Sequence, residues 1–309
     1  MILRIAFLVA IAISGTSLGN SARGDMMFNV VFSAQAQSDL SASEQSLFTD
    51  ALSFWDDIII DHRDGVSRNW TLGVDTFSQA ASGGGVLLGS AGPSGVGFTN
   101  PVSGVTFTSA FTNSGFLIST GGNANFNVHA DAGGLSSDTI KHEIGHALGI
   151  GTLWEDNEVY NDEGATPSNR TLTGGIAGQY VGAAALAAYQ AEVVGQSAAT
   201  FVPVELSGGS GTAHGHWDES DNFGQTPTGV LDIWGRDRKN ELMTGYAAPG
   251  TDFISNTTIM SLYDIGFNVN LDSLTSVTAV PEPSSLALIA IGFAITGTFR
   301  TRTKKRSAA

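Results

Sequence analysis

The sequence contains no cysteine and few basic residues. The absence of cysteine among 309 residues excludes disulfide frameworks, thiolate metal sites and a cysteine nucleophile. Only 14 lysines and arginines stand against 29 aspartates and glutamates, so the formal net charge is −15. A chain with this balance lacks the basic field that gathers phosphates, which argues against nucleic acid as a partner. Charged residues make up only 14% of the chain, and 39 residues are glycine, a composition that favours an exported, loop-rich protein.

The first 24 residues have the layout of a secretory signal peptide. One early charge, Arg4, precedes an apolar run over residues 5–13, and a stretch of small residues follows at 14–22. The alternative is a transmembrane anchor, but a span needs about 20 apolar residues. We therefore predict that residues 1–24 direct export and are removed.

The C-terminal segment, residues 280–309, carries three features in a fixed order. A Pro-Glu-Pro motif at 281–283 precedes an apolar run at 286–299, and five basic residues follow within 300–306. This order resembles the bacterial PEP-CTERM sorting signal. The resemblance implies transient insertion in the inner membrane, with the basic end in the cytoplasm, and removal by a C-terminal processing enzyme. The mature protein is then expected in the cell envelope, at the cell surface or in the extracellular matrix; a permanent tail anchor is the alternative.

Residues 25–279 form the predicted mature domain, which is strongly acidic, with seven basic and 28 acidic residues. The alternation of FNVVF at 28–32 predicts an opening strand. Ser41 and Glu44 form a capping-box pattern, and apolar residues at helical spacing follow it, which predicts a helix.

Short β-type runs between residues 70 and 130 alternate with glycine-rich turns and predict a twisted sheet with long loops. The run at 126–130 is expected either as an open sheet edge that receives an extended peptide or as an ordinary half-buried strand. The alanine-rich residues 177–194 are expected to form a packing helix without chemistry.

The segment DTIKHEIGHALG, residues 138–149, carries the main functional signal. Asp138 is expected to cap a helix. On that helix His142 and His146 lie one turn apart, so both imidazoles can reach one metal ion. Imidazole nitrogens suit zinc, and a catalytic zinc keeps one position open for water. Glu143 is placed to take the proton of that water; the alternative is a surface helix with two unrelated histidines.

The spacing alone leaves the third metal ligand open. The position six residues after His146, where compact zinc proteases of the extended-motif type carry their third histidine, is Thr152. His129, His214 and His216 are the remaining candidates, and the last two lie in a glycine-loosened turn that can fold back over the helix.

HEIGHALG, the dipeptide His216-Trp217 and the run ELMTG at 241–245 together resemble the leishmanolysin-like family of metzincin zinc peptidases. The resemblance covers residues 28–270. It implies an α+β fold: a twisted mixed sheet with an active-site helix, up to about residue 151, then an insertion and a smaller, mostly irregular or helical C-terminal subdomain.

The same resemblance assigns His216 as the third zinc ligand, with His214 as runner-up, and Met243 as an apolar floor beneath one zinc ion. Tyr246 is expected either as an ordinary turn tyrosine or, alternatively, as a stabiliser of the developing oxyanion. The implied function is an exported zinc metalloendopeptidase acting on protein or peptide substrates. Two alternatives are an envelope or biofilm matrix protein with a structural zinc site, and a zinc amidase acting on a non-protein amide. The acidic stretch at 155–163 is a solvated loop or, alternatively, a calcium site.

Overall fold

A computed structural model describes residues 26–82, 85–107, 115–161, 177–209, 211–218, 227–246 and 252–274. The strands are β1 (Met27–Phe32), β2 (Ile59–His62), β3 (Asn69–Phe77), β4 (Gly89–Phe98), β5 (Leu117–Asn127), β6 (Tyr160–Asn161), β7 (Ala177–Tyr180), β8 (Val202–Glu205) and β9 (Phe267–Val269). The helices are α1 (Ala34–Asp39), α2 (Ala42–Ile58), α3 (Ser137–Leu148), α4 (Ala183–Glu192) and α5 (Asn256–Asp264). The predicted signal peptide and sorting segment lie outside the described residues.

The N-terminal half is built on a four-stranded mixed sheet in the order β1-β3-β5-β4. The first three strands are parallel, and β4 runs antiparallel to β5 at one edge. Alternate residues of β3 are buried, including Trp70, Leu72 and Val74, because successive side chains of a strand point to opposite faces. The sheet therefore has one face that packs on the core.

Helices α2 and α3 cover that face. The Ser41–Glu44 capping box is present at the start of α2, as predicted. The helix buries Phe48 and Trp55. The indole N–H of Trp55 donates to the carbonyl of Lys141 in α3 at 3.0 Å. On the other side, the Ser119 hydroxyl of β5 donates to the carbonyl of Ala147 at 2.7 Å. Helix α3 is thus fixed from both sides.

The C-terminal half contains a small antiparallel sheet, in the order β6-β7-β8, and the helix pair α4 and α5. The two helices cap each other: Asp264 at the end of α5 accepts hydrogen bonds from the backbone N–H of Ala184 and Ala185, and Glu192 at the end of α4 accepts from those of Asn256 and Thr257. Carboxylates at helix N-termini complement the helix dipole. Together, the two helices support the 241–245 segment.

Strands β2 and β9 pair antiparallel and tie the end of the described chain to the end of α2. His62 is fully buried in β2, and its ring packs against that of Phe267 in β9, tilted by 31°. Burial, together with the Arg68 guanidinium, lowers the pKa of His62 to about 4, although the Val66 carbonyl and Asp64 oppose the shift.

The α+β class with a mixed sheet is confirmed, whereas two local expectations, the cap of α3 and the start of the alanine-rich helix, are wrong. Ser136, not Asp138, caps α3, since its hydroxyl accepts the N–H of Thr139. Of the two alternatives for residues 126–130, the ordinary half-buried strand is confirmed for the part that lies in β5, because this strand is paired on both sides; β4 forms one edge of the sheet and β1 the other. Residues 177–180 form strand β7 before the helix begins, so the C-terminal half is less helical than expected. Within the described ranges, no helix is long and apolar enough to span a membrane.

Candidate metal centre

Three histidines from two distant parts of the chain meet at one point. His142 and His146 project from the same face of α3, one turn apart, and His216 approaches from the segment after β8. Their Nε2 atoms lie 3.0 Å (142 to 146), 3.1 Å (142 to 216) and 2.9 Å (146 to 216) from one another. Among the described residues this is the group of potential ligands that fits one metal ion.

The other ring nitrogen of each histidine faces a backbone carbonyl. The Nδ1 atoms of His142, His146 and His216 lie 2.7, 2.9 and 2.7 Å from the oxygens of Leu242, Ile150 and Thr212 respectively. A carbonyl oxygen only accepts, so each Nδ1 carries the proton and each Nε2 presents its lone pair.

Three lone pairs that converge at about 3 Å repel one another unless a cation lies between them. Burial lowers the pKa of all three rings, that of His216 to about 3, so protonation does not relieve the repulsion. Neutral imidazoles with their far nitrogens bound to carbonyls are the donor set that zinc takes in proteins. The residues therefore fit a zinc ion.

The segment that carries His216 is held by its neighbours on both sides. The N–H of Glu205 in β8 donates to the carbonyl of His216 at 2.9 Å, and the N–H of Trp217 donates to the carbonyl of Met243 at 3.0 Å. The Trp217 ring is fully buried, stacked on Trp154 at 4.7 Å, and its indole N–H donates to a hydroxyl of α5. The tryptophan thus anchors the adjacent histidine.

The runner-up, His214, does not join the cluster. Its Nδ1 lies 2.8 Å from the hydroxyl of Tyr160, and its backbone is left-handed, with φ of 68°. It lies along the wall of the cleft instead. His129, the other candidate, caps a short 3₁₀ turn beyond β5.

The turn after α3 lets the His216 segment approach. Gly149 ends the helix with φ of 125°, and Gly151 follows with φ of 76°, backbone conformations that favour glycine. A Cβ on Gly151 would overlap the backbone of Gly215. The exit turn and the His216 segment are therefore in direct backbone contact.

Met243 packs against helix α3 next to Gly145. Its side chain is fully buried, and its Sδ is 2.7 Å from the position that a Cβ on Gly145 would take. Gly145 lies in α3 directly before His146. The absence of a side chain there allows the methionine to pack against the helix between its two histidines.

The side chain of Glu143 projects from α3 toward β4 and is buried. A Cβ on Gly89 of β4 would lie 2.9 Å from its Oε1 and 3.0 Å from its Cδ. Burial raises the pKa of Glu143 to about 8. A divalent cation at the neighbouring histidines favours the ionised carboxylate and opposes this shift.

A cleft of about 880 Å³ passes over the histidines. Residues 87–91, at the start of edge strand β4, form one wall, and the half-buried Tyr246 lies on another. The described lining includes five carboxylates and no lysine or arginine. With no basic side chain in its described lining, the cleft does not repel a cation.

Sequence reasoning missed two contributors to the site, Glu241 and Gly89. Glu241 is a buried carboxylate one residue before the carbonyl that holds His142. A charged residue directly before an apolar turn was a usable signal for it, whereas one glycine among 39 offered none for Gly89. Only residues 155–161 of the acidic stretch 155–163 are among the described residues. Of these, Glu155 and Asp156 line the cleft, and none belongs to a group of ligands that fits a metal ion, so the calcium alternative gains no support there.

Comparison with known proteins identifies the C-terminal segment. Residues 279–304 match the family model for the PEP-CTERM protein-sorting motif. The match confirms the predicted sorting signal and indicates export to the envelope or surface, with a C-terminal sorting enzyme, an exosortase, as a partner. No curated protein matches the sequence.

Proposed function

We propose that this protein is an exported zinc-dependent endopeptidase of the metzincin type, similar to the leishmanolysin-like family. The observation that carries the proposal is the convergence of three histidine Nε2 lone pairs, within 3.1 Å of one another, beside the carboxyl group of Glu143. His142, His146 and His216 hold the metal. A zinc ion held by three imidazoles acts as a Lewis acid and lowers the pKa of water in its open position.

Glu143 is the proton carrier of the reaction. Its carboxylate takes a proton from the attacking water as the C–O bond forms, and it then passes that proton to the amine nitrogen as the C–N bond breaks. Its burial under β4 keeps bulk water from competing for the carboxylate. Glu143 follows a metal-binding histidine in sequence, but its carboxyl group packs against Gly89 of β4 and is not part of the histidine cluster, so we assign it to the water and not to the metal.

The substrate chain lies along β4. This strand forms one edge of the four-stranded sheet, the edge that borders the cleft, and alternate backbone groups of an edge strand have no partner within the sheet. An extended peptide adds to such an edge through main-chain hydrogen bonds. The strand-addition role, one of the two alternatives for residues 126–130, is therefore assigned to β4, whose first residues lie beside Glu143.

One experiment distinguishes the endopeptidase from the two alternatives, an amidase and a matrix protein with a structural zinc site. The purified protein is incubated with casein and, in parallel, with cell-wall glycopeptides, and the products are identified by mass spectrometry. New peptide N-termini from casein that disappear with a chelator and return with zinc support the endopeptidase. Cleavage of an amide bond in the cell-wall glycopeptides, without cleavage of casein, supports an amidase, and bound zinc without any product supports a structural site in a matrix protein.

A further inference from the structure

The buried carboxyl group of Glu241 accepts hydrogen bonds from two separate segments of the chain. Its side chain is 1% exposed. Its Oε2 accepts the backbone N–H of Met243 at 2.7 Å. Its Oε1 accepts the N–H and the hydroxyl of Ser255, at 3.0 and 2.9 Å, and the hydroxyl of Thr258 at 2.5 Å. One carboxyl group thus joins the 241–245 segment to the first turn of α5.

The N–H that Oε2 accepts belongs to the same peptide unit as the carbonyl that holds His142. The Leu242 oxygen receives Nδ1–H of His142 at 2.7 Å, and the Met243 N–H is the other end of that planar unit. Hydrogen bonds in such a chain polarise one another. The arrangement is a carboxyl group acting on a metal-binding imidazole through one peptide bond.

The peptide that holds His216 lacks this feature. Its carbonyl belongs to Thr212, and the N–H of the same unit, on Ala213, donates to the neutral carbonyl of Gly209 at 2.8 Å. The carboxyl-backed peptide therefore distinguishes His142 from His216.

We propose that Glu241 is a positioning residue for the metal centre: it fixes and polarises the Leu242–Met243 peptide, and this peptide holds His142 on the point where the histidines meet. The inference rests on the proposed metal-binding function. Outer groups that orient a metal-binding histidine typically contribute a factor of about 10 to 100 in metal affinity.

Glu192 supplies a matched control. It is also 1% exposed, and it also binds the first turn of α5, through the N–H groups of Asn256 and Thr257 and the Thr257 hydroxyl. None of these hydrogen bonds involves the 241–245 segment. All the groups bound by Glu192 and Glu241 in this way are donors, so Gln at either position leaves an amide NH₂ facing a donor.

The experiment compares Glu241→Gln, Glu192→Gln and the wild type by chelator competition for zinc, by the visible spectrum of the cobalt-substituted protein and by thermal unfolding of the metal-free protein. Both variants are expected to lose thermal stability. Only Glu241→Gln is expected to weaken zinc binding, by about tenfold or more, and to alter the cobalt spectrum. Equal zinc affinity in the two variants would overturn the inference.

Three further outcomes are decisive. If Glu241→Gln does not fold, Glu241→Asp takes its place, because it keeps the charge but draws the carboxyl group back by one methylene; unchanged zinc affinity in that variant overturns the inference. A wild type that binds zinc but hydrolyses nothing refutes the proposed function, while the affinities still decide the role of Glu241. A wild type that binds no zinc overturns both.

Discussion

Replacing Gly89 with alanine should disable Glu143 while leaving the histidines intact. The new methyl group would lie 2.9 Å from Oε1, 3.0 Å from Cδ and 3.0 Å from Cγ of Glu143. Ordinary contacts begin at 3.4 Å, so the carboxyl group must move by about 0.5 Å or more. The three histidines are oriented by hydrogen bonds to backbone carbonyls outside β4, so we expect them to keep their positions.

A displacement of this size matters because catalytic groups act within about 0.5 Å of their productive geometry. A misplacement of about 1 Å can cost about a hundredfold in rate. We therefore expect kcat/KM to fall by about 10- to 100-fold, or about 1.4 to 2.7 kcal/mol in transition-state stabilisation.

The assay measures zinc content and peptide hydrolysis for Gly89→Ala and Gly92→Ala. Gly92 lies on the same strand, and a Cβ there meets nothing within 4 Å, so this variant should match the wild type. Full activity in Gly89→Ala would show that Glu143 does not act from its position under β4. Loss of zinc in Gly89→Ala would show a wider collapse and equally refute the reasoning.

Three other predictions concern the ligands, the packing and the pH response. His216→Ala should lose zinc and His214→Ala should keep it, and equal zinc contents by elemental analysis would contradict the assignment. Gly145→Ala places a methyl group 2.7 Å from Met243 Sδ and should destabilise the protein by about 1–3 kcal/mol in urea unfolding, whereas a wild-type midpoint would refute the packing. Burial lowers the pKa of His62 from 6.5 to about 4, so the unfolded chain binds more protons in this interval and stability falls as the pH drops through it. That loss is about 3 kcal/mol between pH 7 and pH 4, and His62→Gln should remove it from the pH dependence of unfolding; an unchanged slope would exclude this residue as the cause.

Features that depend on neighbouring residues could be predicted from the sequence. The capping box that starts α2 needs only Ser41 and Glu44, and the convergence of His142 and His146 needs only the helical repeat. The cap of α3 was misassigned because two polar residues competed for it, and Ser136 has the geometry that receives the Thr139 N–H.

Features that depend on distant contacts could not be read from spacing. The position of His216 follows from Trp217, which packs with Trp154 and Tyr180 and so draws its neighbour to the helix. The inner place of β5 follows from its parallel pairing with β3, and no residue within β5 specifies that partner. The resemblance supplied His216 where spacing alone left three histidines open.

The most direct test of the central claim compares the wild type with Glu143→Ala in zinc content and casein hydrolysis, measured on the same preparations. The account predicts one zinc per chain in both proteins and hydrolysis by the wild type alone, abolished by a chelator. Hydrolysis by Glu143→Ala at the wild-type rate, or a wild type without zinc, would contradict it.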